Sequence, residues 1–191
     1  MARSLVWLAA IVVALAATGG LLWFSTVSAA RFSVEGDMLH VSGQLTLAST
    51  ERLNVILEEN GDLSTLVLGD IAEGSDMTAL LQKGLLVRQA GLSTEVAPGA
   101  TLSGDAVYLF LAGITRGIGP GGRVAVTGWD TPAGPAARLP RDHPAHSERR
   151  DYVGRMLGSD DFYWFTLEAP GEMPYVMTPA DLAALDVATM P

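Results

Sequence analysis

The chain has no cysteine, which excludes a disulfide framework, a thiolate zinc site and a cysteine nucleophile. Basic residues are scarce as well: 12 Lys and Arg stand against 21 Asp and Glu, for a net charge of -9 and a pI near 4.6. No run of Lys or Arg forms a stripe, so nucleic acid is excluded as a partner. Repeats and low-complexity tracts are missing, and no motif calls for a cofactor. The acidic balance mainly serves solubility.

What is present is apolar. With 191 residues and 49% hydrophobic content, the chain is long enough for one α/β domain with a sizeable core plus a terminal segment. That segment is the N-terminus, where Arg3 precedes an apolar run from Leu5 to Phe24 and the next charge is Arg31. Val27-Ser28-Ala29 supplies small residues before a cut between Ala29 and Ala30. A run of about 20 apolar residues is long for a signal core and just spans a bilayer. Residues 1–29 therefore read as a cleaved signal peptide or as a membrane anchor through residues 5–24, and residues 30–191 as the domain. Either way the domain is expected outside the cytoplasm: periplasmic, secreted or anchored to the membrane.

Hydrophobic spacing sets out the elements. Phe32 and Val34, then Leu39 and Val41, flank Gly36-Asp37 with a period of two, which predicts a β-hairpin. Leu53, Ile56 and Leu57 predict a helix behind Ser49 or Thr50 as N-cap, ending at Gly61. "STLVLG" reads as a buried strand. A helix follows from Ser75 as N-cap, with Met77, Leu80, Leu81 and Leu85 as its apolar face. Gly84 inside that helix costs about 1 kcal/mol relative to Ala, so it is expected to allow close packing against a neighbour. "STEVA", the helix after Ser103 and the strand in "GGRVAVTGW" complete a strand–helix alternation. The Pro- and Ala-rich stretch from Asp130 to His146 reads as a loop. Helices opened by Ser147 and Ser159 follow, then a strand at Tyr175 to Met177 and a helix with Thr178 as N-cap and Pro179 first.

Several residues are candidates for chemistry. Ser103 stands before an apolar helix, as a nucleophile or as a helix cap. Asp105 places a carboxylate at the start of the same helix. His143 and His146, with Asp142 and Glu148 nearby, offer a metal two nitrogens and a carboxylate, but the intervening proline and loop context favour a solvated loop. His40, between Leu39 and Val41, is expected on an exposed strand face. The run Phe162, Tyr163, Trp164 and Phe165 reads as core packing or as a partner surface.

Three segments in order, "LVLGDIAEGSD" with "GLLVRQAGLSTEV", then "LSGDAVYLFLAGITR", then "GPGGRVAVTGW", resemble the Clp protease proteolytic subunit and crotonase superfamily, and more closely its exported, periplasmic Clp-protease-like branch. The resemblance runs from about Leu39 to Thr189 and implies a spiral of ββα units with a mostly parallel sheet. It implies that the backbone at Gly74 and Ser75 faces a substrate carbonyl. It also puts the family's nucleophile position, nine residues before Gly113, at Gly104, and its histidine base position at Thr127. Gly104 has no side chain to attack with, and threonine is no base for a serine. The expectation is a catalytically inactive, exported binding or scaffolding module, as a homo-oligomer or with a protein partner. The alternatives are a serine peptidase or acyl hydrolase using Ser103 with an unconventional base, and a pocket that holds a small acyl ligand.

Overall fold

The computed structural model describes residues 29–71, 75–132, 134–168 and 174–189. The predicted signal or anchor up to residue 28 lies outside them. Strand β1 (Arg31–Glu35) and β2 (Met38–Gly43) form the expected hairpin, with Val34 opposite Leu39 and Glu35 opposite Met38. Gly36 takes φ +63 in its turn, a conformation that an L side chain rarely adopts.

The rest of the first sheet is parallel. β3 (Thr65–Ile71), β4 (Ser93–Val96) and β6 (Arg116–Ile118) extend it in the order β1-β2-β3-β4-β6. A second sheet joins β5 (Thr101–Ser103), β7 (Arg123–Val126) and β10 (Tyr175–Val176) in the order β10-β7-β5, with β5 and β7 parallel. β8 (Asp130–Thr131) and β9 (Gly134–Pro135) make a small hairpin inside the predicted loop. Short strands such as β5 and β6 were not expected, because three residues are too few to display a period.

The helices are α1 (Ala48–Glu59), α2 (Met77–Gln89), α3 (Ala106–Leu111), α4 (Ser147–Leu157), α5 (Asp161–Glu168) and α6 (Pro179–Ala184). One core runs from Leu66 and Leu68 on β3 through Leu80 and Val87 on α2 to Phe110 on α3 and Tyr163 on α5. Each fully buried large apolar side chain contributes about 1.5–3 kcal/mol. Gly84 does admit a neighbour: a Cβ there would lie 1.8 Å from the Tyr152 hydroxyl, which donates to the Tyr108 carbonyl at 2.9 Å. Phe162 and Tyr163 are buried, as the core reading of the aromatic run expects, while Trp164 and Phe165 are partly buried against the core.

Three details of the sequence reading are corrected. Leu85 points outward, and α2 buries Lys83, Gly84 and Val87 instead. Asp76, not Ser75, caps α2 by accepting the Ala79 N–H at 3.2 Å. The Ser49 hydroxyl turns back to the Thr46 carbonyl at 2.7 Å and does not cap α1. In both serine cases the helix starts a residue or two away from the serine, so its hydroxyl meets a different amide.

Lys83, the chain's only lysine, is fully buried. Its ammonium donates to the Thr46 carbonyl at 2.7 Å and to Thr50 Oγ1 at 2.8 Å. Burial pulls its pKa down to about 8, partly offset by the Asp76 carboxylate.

Candidate functional site

Because Ser103 on β5 pairs with Ala125 on β7, the two strands release the chain side by side. Gly104 follows one strand and Thr127 the other. Gly104 donates its N–H to the Ala125 carbonyl at 3.2 Å and turns the chain at φ +57, so that α3 starts at Ala106. A Cβ at Gly104 would sit 4.0 Å from Thr127 Cγ2. The two positions that the family resemblance assigned to nucleophile and base thus face each other.

Both border one cavity of about 360 Å3, together with Ser75, Ser103, Asp105 and Trp129. Gly74, the other residue assigned to the carbonyl-facing backbone, lies outside the described residues. Ser75 accepts the Leu45 N–H through its hydroxyl at 3.0 Å, which ties this wall to the segment held by Lys83.

Ser103 is not a helix cap. It belongs to β5, and its hydroxyl has no hydrogen-bond partner among the described residues. Two first-turn amides of α3 bond to backbone instead: Val107 donates to the Gly104 carbonyl and Tyr108 to that of Asp105, at 3.2 and 3.1 Å. No base is therefore in hydrogen-bond reach of Ser103 among the described residues.

Asp105 also leaves α3 without a side-chain cap. Its carboxylate, 40% exposed, meets Arg149 at 3.4 Å, and that guanidinium lies 4.3 Å from the centre of the Trp129 ring. Trp129 in turn meets His146 edge-on, and His146 Nδ1 shares a hydrogen bond with the Tyr163 hydroxyl. His146 is thus fully buried in an aromatic cluster, which corrects the solvated-loop reading. That contact set spans residues far apart in sequence, and no local pattern announced it. His143 is exposed and accepts the Ala145 N–H, and no group of three His or carboxylate residues suits a metal among the described residues. His40 is half-exposed, with Glu35 3.8 Å away.

Among the described residues, the side chains bordering the cavity supply hydroxyls, the Trp129 indole N–H and the Asp105 carboxylate, which is paired with Arg149. No Lys or Arg is among the described residues bordering it, and Arg149 stands behind Asp105 and Trp129. Such a lining suits a neutral or donor-rich group and disfavours an anion.

A mostly parallel sheet, a parallel β5–β7 pair and a strand–turn–helix at Gly104 now stand together. This is the fold of the Clp-protease and crotonase superfamily. The chain is similar to the 1510-N membrane-bound stomatin-specific protease in complex with a substrate peptide, at 14% identity and TM-score 0.52 over 78% of this chain and 71% of that one. It is also similar to an enoyl-CoA hydratase/isomerase family protein from Silicibacter pomeroyi, at 12% identity and TM-score 0.54 over 85% and 74% of the two chains. An enoyl-CoA hydratase from Bacillus halodurans aligns at 11% identity and TM-score 0.50 over 84% and 72%. No family model and no curated protein matches the chain. In this Clp-protease and crotonase fold, the cavity at Gly104 and Thr127 is the place where sheet ends, turn and helix start converge.

Proposed function

We propose that the chain is an exported Clp-protease-like binding module that holds a peptide segment at the Gly104–Thr127 cavity without cleaving it. The observation that carries this reading is the pair itself: where one side chain would attack and the other would take its proton, there is a glycine with no side chain, and a Cβ added to it would lie 4.0 Å from a threonine methyl. The cavity keeps what binding needs, namely hydroxyls, an exposed carboxylate and the ends of two parallel strands. A peptide, with its backbone N–H donors, suits the hydroxyls and the carboxylate of this lining. The likeness to a protease solved with a substrate peptide supports the same choice.

A fluorophosphonate probe tests the absence of chemistry. The wild-type protein and Ser103→Ala should both stay unlabelled while binding peptide equally. Labelling that maps to Ser103 would establish the second reading, a hydrolase acting through Ser103, whose support is a serine bordering the cavity with no hydroxyl partner among the described residues.

The extracytoplasmic location rests on the N-terminal sequence. Among the described residues no helix is long and apolar enough to cross a membrane. N-terminal sequencing of the mature protein separates the alternatives: Ala30 as first residue means a cleaved signal, and an intact start means an anchor. Assembly, as a homo-oligomer or with a protein partner, is part of the same proposal.

A further inference from the structure

A second cavity, of about 490 Å3, opens beneath α6, walled by Ile118, Val124, Met177, Leu182, Ala183 and Ala188. Its volume lies within the roughly 300–1,000 Å3 of small-molecule sites, and its lining is apolar, as such sites are.

The helix above it is held in an unusual way. None of its residues is buried. Its start is fastened by the Thr178–Asp181 capping box and by the Tyr175 hydroxyl, which donates to Asp181 at 2.9 Å. Just past its end, buried Arg116 donates to the carbonyls of Val187 and Asp186 at 2.9 and 2.8 Å, and its N–H donates to Thr189 Oγ1 at 2.7 Å. α6 is therefore tied down at both ends, with Leu182 and Leu185 only partly buried against the core and the apolar cavity beside them. A helix that merely completed the core would bury an apolar stripe.

Arg123 borders the same cavity and is exposed. Its guanidinium has no hydrogen bond or ion pair among the described residues, in a chain of net charge -9 with many carboxylates available. An unpaired cation beside an apolar cavity complements a ligand with an anionic head and an aliphatic tail.

We propose that the cavity under α6 binds an unbranched aliphatic carboxylate, with the chain against Val124 and Leu182 and the carboxylate on Arg123. The site is separate from the Gly104–Thr127 cavity and does not depend on the function proposed for it.

A diazirine analogue of decanoate, photolysed with the full-length chain and mapped by mass spectrometry, tests this. Label is expected on the peptides carrying Val124 and Met177 to Thr189, competed by decanoate more strongly than by decanol. Shortening the competitor should weaken it by about threefold to fourfold per methylene. Ala183→Phe, which fills the cavity, should cut labelling by about tenfold, with folding checked by circular dichroism. Arg123→Gln, at an exposed position that leaves folding intact, should erase the advantage of decanoate over decanol. Label elsewhere, equal competition by decanol in the wild type, or labelling unchanged in Ala183→Phe would overturn the proposal. So would a dimer in sedimentation that Ala183→Phe dissociates while the probe fails to label, because the occupant would then be a second copy of the chain.

Discussion

The two ends of β7 border cavities of opposite chemistry: Thr127, just past its last residue, faces hydroxyls and the Asp105 carboxylate, whereas Arg123 and Val124 at its start border apolar side chains beneath α6. The strand is only four residues long, RVAV, and does not impose this difference. What imposes it is what each end meets. The polar end collects turns and strand ends, where backbone groups leave the sheet ladder and small hydroxylated residues fit. The apolar end lies against a helix fastened at both ends, and Leu182 and Ala183 of that helix line the cavity.

The largest expected effect breaks the polar end open. Gly104→Ser combined with Thr127→His, despite the strain of a side chain at φ +57, should be labelled by a fluorophosphonate about 100-fold or more faster than Gly104→Ser alone, as general-base assistance allows. If the double variant folds and binds peptide but stays unlabelled, the two positions do not face each other as described.

Gly84→Ala comes next, away from both cavities. Its Cβ would collide with the Tyr152 hydroxyl, so unfolding in urea should show a loss of about 1–3 kcal/mol. Both cavities should keep their affinities below the unfolding transition. A neutral result would mean that α2 and α4 separate easily.

Lys83 sharpens the contrast through pH. Its folded pKa, about 8, lies below its ordinary 10.5, so between these values the unfolded chain binds a proton that the folded chain does not. Stability should therefore rise as pH goes from about 8 towards 10. Above about 10, burial of Tyr108 and Tyr152 opposes it, because their phenols are raised and ionise more readily when unfolded. Lys83→Met should flatten the rise in thermal midpoint between pH 8 and 10. Since Lys83 holds the segment that binds Ser75, the same variant should weaken the polar cavity and leave the apolar one unchanged.

The smallest effect is at Asp105. Asp105→Asn removes a 3.4 Å ion pair with a part-exposed carboxylate, so stability should change by less than about 1 kcal/mol. Peptide affinity should fall by about threefold to tenfold, since the charged acceptor of the cavity is gone. Equal affinity by calorimetry would remove Asp105 from the binding surface.

Much of this architecture was readable beforehand where residue chemistry acts locally. Gly36 dictated the hairpin turn, the period of two dictated the strand faces around Leu39, and Thr178-Pro179 dictated the start of α6. Ser49, Ser75 and Ser103 misled because a cap depends on which residue first takes helical φ and ψ, a choice settled by packing. His146 misled for the same reason: its proline-rich surroundings suggest a loop, while Trp129, Tyr163 and Trp164 enclose it from distant parts of the chain.

By itself, then, the sequence determined the acidic, thiol-free chemistry, the α/β alternation and the absence of a nucleophile and a base at Gly104 and Thr127, because these follow from residue identity and short-range spacing. Packing of distant segments is what brings those two positions face to face across a polar cavity, buries His146 and leaves an apolar cavity under α6. Each of these depends on side chains brought together by sheet pairing and helix packing, and no residue carries that information in its immediate neighbours.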